Sequence, residues 1–152
     1  MKYEKIWQKT LGGDEKVEYE FSVGDGYIRL GLIVWGIISL FLLFAGGFGI
    51  FTFLVALFYY SFYLKVANAY AFTNKRVLIH RGWLSTHTIS VDYAKITDVH
   101  IIEPFFSRIL AHTGDMGIIT AGSTRDQIVL QHIDAPYEIK KKLDLLKDKN
   151  ES

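Results

Sequence analysis

From Leu30 to Leu64 the chain runs for 35 residues without a charged side chain. A single helix of that length would be roughly 52 Å long, whereas the hydrocarbon core of a bilayer is about 30 Å thick. Gly46 and Gly47 interrupt the run near its middle, and glycine permits a tight reversal that other residues resist. The run therefore predicts a transmembrane hairpin of two short antiparallel helices, at residues 27–45 and 48–65.

Lysine and arginine flank this run on both sides, and none lies at the predicted tip. Because the cytoplasmic flanks of membrane helices are enriched in these residues, we expect a multi-pass protein of the cytoplasmic membrane with both termini in the cytoplasm. Tyrosines near the ends of the run match interfacial anchors: Tyr27, Tyr59, Tyr60 and Tyr63. The alternative is a re-entrant hairpin that dips into the bilayer and returns, since the arms are short for a span.

Length and composition limit what else the chain can contain. At 152 residues there is room for one domain beside the hairpin, and the net charge of +1 argues against a nucleic-acid partner. The absence of cysteine excludes a disulfide framework, a thiolate metal site and a cysteine nucleophile.

Residues 1–26 are predicted to form a cytoplasmic N-terminal segment. Four large apolar residues recur there at helical spacing: Tyr3, Ile6, Trp7 and Leu11. This spacing predicts either a short amphipathic helix on the bilayer surface or a loosely ordered polar tail. Residues 16–23, KVEYEFSV, alternate apolar and polar side chains and predict an extra strand or a strap along the following domain.

After Lys65 the pattern changes to short apolar runs of period two, which is typical of an antiparallel β domain and predicts one at residues 66–149. Strands are predicted at residues 67–73, 77–81, 86–93, 96–103, 116–121 and 127–133, with a turn at 122–126 before the last. Asp134 and Pro136 then begin a helix, with Asp134 as its cap. We expect this amphipathic helix to cover an open end of a strongly bent sheet, because a small antiparallel domain must protect its edges.

Several short motifs in a fixed order carry a family resemblance. They are YAFTNKR at residues 70–76, the Gly82 turn, Tyr93-x-Lys95-Ile96-x-x-Val99, SRIL at 107–110, GD to TAG at 114–122, and Ile133-x-x-Pro136. Over about residues 27–146 the chain resembles the bacterial pleckstrin-homology-like (PH-like) membrane proteins of the YdbS-like group. The resemblance implies an α+β membrane protein, in which a PH-like β domain with a C-terminal helix follows the hairpin, and it brings no catalytic residues and no cofactor. This sequence departs from the family pattern at residues 110–113, where the family leads us to expect a glycine-containing turn.

Candidate catalytic and metal-binding groups are scattered. The histidines lie singly on different strands and loops: His80, His87, His100, His112 and His132. None has the His-x-x-His or HExxH spacing that preorganises a metal site, and the glycine-rich spots lack the context of a phosphate-binding loop. We therefore expect no metal, no cofactor and no enzymatic activity.

The candidate sites are surfaces. Four basic residues follow the hairpin and form a predicted basic rim: Lys65, Lys75, Arg76 and Arg81. This rim either docks an anionic lipid headgroup or only sets topology by snorkelling. Two large apolar pairs lie at predicted loops: Trp83-Leu84 and Phe105-Phe106. These pairs are expected to enter the bilayer, to form a protein interface, or to be buried under the C-terminal helix.

The predicted function is therefore that of a membrane-anchored, non-catalytic module for protein–protein interaction or oligomerisation at the cytoplasmic membrane surface. Anchoring raises the effective concentration of weak contacts in that layer. The alternative is a module that senses an anionic lipid headgroup. A small membrane enzyme or transport accessory is the third alternative, and it requires several of the histidines and aspartates to converge in one pocket.

Overall fold

The computed structural model describes residues 3–121 and 127–151, so the turn predicted at residues 122–126 lies outside the described residues. The helices are α1 (Glu4–Trp7), α2 (Asp25–Gly46), α3 (Gly49–Phe58), α4 (Leu64–Ala67) and α5 (Pro136–Glu151). The strands are β1 (Val17–Ser22), β2 (Asn68–Thr73), β3 (Arg76–Arg81), β4 (His87–Asp92), β5 (Ile96–Ile102), β6 (Thr113–Thr120) and β7 (Ile128–Asp134). π-Helical turns span Tyr59–Tyr63 and Ser107–Ala111, and a 3-10 turn spans Tyr93–Lys95.

The strands form two antiparallel sheets, with the order β1-β2-β3-β4 in the first sheet and β5-β6-β7 in the second. Alternate side chains of each strand point to the same side of its sheet. The apolar side chains on the two inner faces pack together to form the core. In β2, for example, Tyr70 and Phe72 enter the core between the sheets. Helix α5 adds Ile139 and Leu143 to this core. The predicted α+β class, with an antiparallel β domain and a C-terminal helix, is confirmed.

The hairpin is an insertion in the first sheet. β1 ends at Ser22, β2 begins at Asn68, and the two strands pair directly, with Ser22 opposite Ala69. The domain predicted to begin at residue 66 therefore needs correction, because β1 lies within the segment predicted as residues 1–26. Of the two predictions for residues 16–23, the extra strand is the one that the structure contains.

The hairpin consists of α2 and a second helix that runs continuously over Gly49–Ala67 through α3, the π-helical turn and α4. These bounds agree with the predicted ones within two residues. Gly47 makes the reversal with a φ of 79°, a left-handed conformation that glycine adopts without a steric penalty. The helices approach at small residues, since a Cβ at Gly49 would collide with the carbonyl oxygen of Ser39.

The N-terminal segment packs on the outer face of the first sheet. Trp7 is fully buried there, in a cluster with Ala69, Ala71 and Leu78. The predicted short helix is present as α1, but Trp7 packs it on the sheet and not on a bilayer surface, and the alternative prediction of a loosely ordered tail is wrong. The two alanines occupy outward positions of β2, and their small side chains leave the volume that the indole of Trp7 fills.

Candidate functional site

The directions of the strands place the connections at two ends of the domain. β2 leads away from the hairpin and β3 returns, since Asn68 lies opposite Arg81. Each later strand again reverses direction. The hairpin end is the end of the domain that contains the hairpin base and residues 82–86, 103–112 and 135. The far end is the opposite end, with the turns at residues 74–75 and 93–95.

Hydrogen bonds fix the first arm of the hairpin to the second sheet. The carboxylate of Asp134 accepts a hydrogen bond from the backbone N–H of Asp25 at 2.8 Å and so caps α2. The N–H of Gly24 donates to the carbonyl oxygen of His132 at 2.6 Å, and the ring of Tyr27 stacks on that histidine at 3.9 Å. Asp134 was predicted to cap the C-terminal helix, whereas its carboxylate caps the first hairpin helix.

The second arm is fixed in a similar way. The hydroxyl of Ser22, the last residue of β1, donates to the carbonyl oxygen of Asn68 at 2.6 Å. The backbone N–H of Gly82 donates to the carbonyl oxygen of Ala67 at 2.8 Å. Both arms are therefore attached to strands, and the hairpin has a defined orientation relative to the sheets.

Residues 82–86 form an apolar loop beside the second arm. Leu84 is 90% exposed and Trp83 is 43% exposed. The indole of Trp83 lies edge-on to two phenylalanine rings of that arm, with centroid distances of 6.0 Å to Phe58 and 5.9 Å to Phe62. The loop is thus held against the side of the hairpin.

Residues 103–112 form a second apolar loop beside the first arm. Phe105 and Phe106 are 68% and 71% exposed, and Ile109 and Leu110 of the π-helical turn are also exposed. The loop is held close to α2, because a Cβ at Gly26 would collide with the carbonyl oxygen of Ala111. Burial of the pairs Trp83-Leu84 and Phe105-Phe106 under the C-terminal helix, one of three predictions for them, is therefore wrong.

Sequence reasoning missed part of this apolar surface. Ile109 and Leu110 lie in the SRIL connection, and the family motif there does not indicate whether they are exposed. His112 follows in the left-handed conformation, with a φ of 52°, at the place where the family pattern led us to expect a glycine-containing turn. The signal that was present is the density of large apolar residues in a predicted connection.

The four residues of the predicted basic rim lie at opposite ends of the domain. Lys65 and Arg81 lie at the hairpin end, whereas Lys75 and Arg76 lie at the far end, one strand of six residues away. That separation is about 17–20 Å. Lys65 forms an ion pair with Asp25. The structure therefore does not bring the four residues together in one rim.

Arg81 makes a structural contact between the two sheets. Its guanidinium donates a hydrogen bond to the carbonyl oxygen of Val129, and the hydroxyl of Tyr70 accepts one from the N–H of Gln131 at 3.3 Å. Side chains of the first sheet thus pair with backbone groups along the outer edge of β7.

Arg76 is engaged by the N-terminal segment. Its Nε and Nη2 donate to the two carboxylate oxygens of Glu15 at 2.9 and 2.8 Å. The Glu15 carboxylate also accepts hydrogen bonds from the hydroxyl of Thr73 and the N–H of Gly12. The hydrogen bond from Arg76, opposed by burial, lowers the pKa of Glu15 to about 2. This ion pair fastens the N-terminal segment to the β2–β3 turn.

The histidines remain dispersed. Within residues 3–121 and 127–151, no three histidine, aspartate or glutamate side chains are arranged to hold a metal ion. His132 faces one carboxylate, with Nδ1 at 3.6 Å from Asp115. His80 packs edge-on against Trp7, and burial lowers its pKa.

An open cleft of about 380 Å³ lies where β1, the hairpin base and α5 meet. Its lining includes Lys65 together with the carboxylate residues Glu20, Asp25 and Asp134. Because carboxylates outnumber the lysine, the charge of this cleft does not favour an anionic ligand.

Comparisons with known proteins agree with this architecture. The family model described as Bacterial PH domain matches residues 19–147, a range that starts within β1 and therefore includes the inserted hairpin. A search of curated proteins returned no match.

Two solved structures share the fold. One is a DUF1696 family protein with a pleckstrin-homology domain from Shewanella loihica PV-4, with a TM-score of 0.53, 13% identity, and coverage of 96% of this chain and 94% of that chain. The other is a pleckstrin homology domain from Shewanella amazonensis SB2B, with a TM-score of 0.53, 11% identity, and coverage of 96% of each chain. The predicted PH-like fold is confirmed.

Proposed function

Because the chain belongs to the bacterial PH domain family, we propose that it is a membrane-anchored, non-catalytic PH-like module of the YdbS-like kind. It holds a protein partner or a second copy of itself at the cytoplasmic face of the membrane, and it uses no cofactor. The observation that carries this proposal is the exposed apolar hairpin inserted between β1 and β2.

The exposure of the hairpin supports an anchor. Its helices of 22 and 19 residues are long and apolar enough to cross a bilayer, and only 11% of the most apolar window of each is buried. A helix in the core of a soluble domain would be mostly buried. The seam between the arms uses small residues such as Gly49, Ser39 and Ala56, as packed membrane helices do.

The distribution of charge supports the orientation. Arg29 and Lys65 lie at the hairpin base, and the tip around Gly47 carries no charge. The positive-inside rule then places the base, the sheets and both termini in the cytoplasm. An anchored domain meets other membrane-bound proteins at a raised effective concentration.

The edge of β4 supports a protein partner. β4 is the last strand of the first sheet, so among the described residues one of its edges has no neighbouring strand. Thr88 and Ser90 on this strand are exposed. An open edge of this kind can pair with an extended segment of another chain.

Site-specific cross-linking in native membranes tests this proposal. A photo-activated residue at Ser90 in the full chain should give a discrete adduct with a partner or with a second copy. The matched control is the same residue at Asp144, which is exposed on α5. No adduct at Ser90, or the same adducts at both positions, would contradict a specific partner at β4.

The second candidate function, binding of an anionic headgroup, is favoured by the basic residues at the hairpin end, where Arg29 and Arg108 are exposed. In nanodiscs, adding phosphatidylglycerol should then raise the melting temperature of the full chain in a salt-sensitive way. The rise should shrink in Arg29→Ala/Arg108→Ala and persist in the far-end control Lys75→Ala. A melting temperature that does not change with lipid charge would exclude this candidate.

A further inference from the structure

The two apolar loops at the hairpin end point to a second contact with lipid besides the hairpin. We infer that residues 82–86 and 105–110 insert into the membrane on either side of the hairpin base and seat the sheet domain on the bilayer. This inference rests on the proposed anchoring of the hairpin. It gives the sheet domain a lipid-binding surface of its own, in addition to the hairpin.

The position of Trp83 along the second arm sets its depth. Phe58 lies within the uncharged run and nine residues before the end of that arm at Ala67, which corresponds to about 13 Å along the helix axis. The ring of Trp83 lies 6.0 Å from the ring of Phe58. The ring also lies 5.9 Å from the ring of Phe62 and 6.4 Å from that of Tyr63, so Trp83 lies beside residues 58–63. That stretch belongs to the uncharged run, and in a membrane-spanning arm its outer surface contacts lipid.

The loop of residues 82–86 is suited to such an environment. Its sequence is Gly-Trp-Leu-Ser-Thr, without a charged residue. Leu84 is 90% exposed, and tryptophan is enriched at the boundary between lipid and water. A bilayer would cover both side chains without any change in the fold.

The second loop lies at a shallower level, beside the first turn of α2. Phe105, Phe106, Ile109 and Leu110 are all at least half exposed. Arg108 lies among them and is exposed; a long basic side chain of this kind can reach headgroups while its neighbours contact acyl chains. Residues 105–110 therefore combine four large apolar side chains with one basic group, and the carboxylate of Glu103 lies outside that stretch.

Lipid is favoured over a protein partner because both apolar loops lie directly beside the arms of the hairpin. One loop packs on each arm, through Trp83 on the second arm and Ala111 on the first. A protein that covered both loops would have to surround the hairpin base, where lipid already contacts the arms of an anchored hairpin.

Single cysteines in the otherwise cysteine-free full chain test the inference. Leu84→Cys and Phe106→Cys carry an environment-sensitive fluorophore, with Leu40→Cys on α2 as the membrane control and Lys75→Cys as the far-end control. The chain is reconstituted in phosphatidylethanolamine–phosphatidylglycerol vesicles, with and without lipids that carry a nitroxide quencher near the headgroup. All four positions are exposed, so the changes leave the core intact.

We expect blue-shifted emission at positions 40, 84 and 106 and emission typical of water at position 75, with quenching by the headgroup nitroxide strongest at the shallow position 106. Blue-shifted emission at position 40 with water-like emission at both 84 and 106 would overturn the inference and leave the anchor intact. Water-like emission at position 40 would instead overturn the proposed anchor. Water-like emission at 84 and 106 in these vesicles that becomes blue-shifted in native membranes would replace lipid by a protein partner.

Discussion

Two tryptophans of the sheet domain differ in what covers them. Trp7 is fully buried, because the N-terminal segment lays it on Ala69 and Ala71 of the first sheet. Trp83 is 43% exposed at the hairpin end, beside Leu84, which is still more exposed. The chain therefore covers one apolar surface of its domain with its own residues and leaves the other bare. We propose that lipid covers this bare surface beside the apolar hairpin.

Charged groups show the same contrast. At the far end, Arg76 is bound by Glu15 of the N-terminal segment. At the hairpin end, Arg29 and Arg108 are exposed. The N-terminal segment thus completes the domain through both apolar and ionic contacts, and the hairpin end is left available.

The largest expected effect separates the two tryptophans. Trp7→Ala should lower the free energy of unfolding by about 3–5 kcal/mol, because it leaves a cavity in a fully buried cluster. Trp83→Ala should cost less than about 1.5 kcal/mol in detergent, since the indole is only partly covered. Denaturant unfolding of the full chain in one detergent measures both. Equal losses of unfolding free energy in the two variants would contradict the difference in burial between Trp7 and Trp83.

Next in size is the ion pair between Glu15 and Arg76. Glu15→Gln should lower the free energy of unfolding at neutral pH by about 2 kcal/mol, because hydrogen bonds to a charged group are lost. The matched control is Asp144→Asn, which neutralises an exposed carboxylate on α5 by the same kind of substitution. Denaturant unfolding at neutral pH compares the two variants. A loss of similar size in both would contradict the proposed role of the ion pair.

The same ion pair predicts a pH dependence. Because the pKa of Glu15 is lowered to about 2 from an ordinary value of 4.5, its stabilisation is fully present above about pH 4.5 and is lost as the pH falls towards 2. Within this window the wild-type chain should lose more stability than Glu15→Gln. Parallel curves for the two proteins would show that the carboxylate keeps no lowered pKa.

A smaller effect is expected at the hairpin attachment. Asp134→Ala removes the cap of α2 and should cost about 1 kcal/mol, with faster hydrogen exchange at the amides of the first turn of α2. Exposed Asp144→Ala on α5 serves as the control. If exchange rises in α5 instead, Asp134 caps the C-terminal helix, as the sequence alone predicts.

The smallest effect is expected at the far end. Lys75 is exposed on the β2–β3 turn, so Lys75→Ala should change the free energy of unfolding by less than about 0.5 kcal/mol and should not change lipid dependence. A marked loss of lipid response in this variant would restore Lys75 to a membrane-facing rim.

Sequence patterns predicted those parts of the fold that depend on local composition. The hairpin was bounded within two residues because uncharged helices and a glycine turn are local features, and most strands follow from their period of two. The sequence alone leaves residues 16–23 open between a strand and a strap, because the pairing of β1 with β2 crosses the whole hairpin. Partners far apart in the chain were also missed, such as Glu15 with Arg76, which are 61 residues apart.

The hairpin end could be predicted only in part. Trp83 and Phe105 were recognised as large apolar residues in loops, but their exposure depends on where the second sheet and α5 lie. The basic rim was assembled from residues close in sequence, whereas the strand between Lys65 and Lys75 carries them to opposite ends. A strand carries the chain from one end of the domain to the other, so residues that precede and follow the same strand are close in sequence but far apart in space.

The most direct test of the account is the topology of the hairpin. In intact cells, a cysteine at Phe48, exposed at the tip, and one at Lys149, exposed near the end of α5, are probed with a membrane-impermeant thiol reagent. The account predicts labelling at Phe48→Cys without lysis and at Lys149→Cys only after lysis. Recovery of the chain in the soluble fraction, with both positions labelled only after lysis, would contradict it.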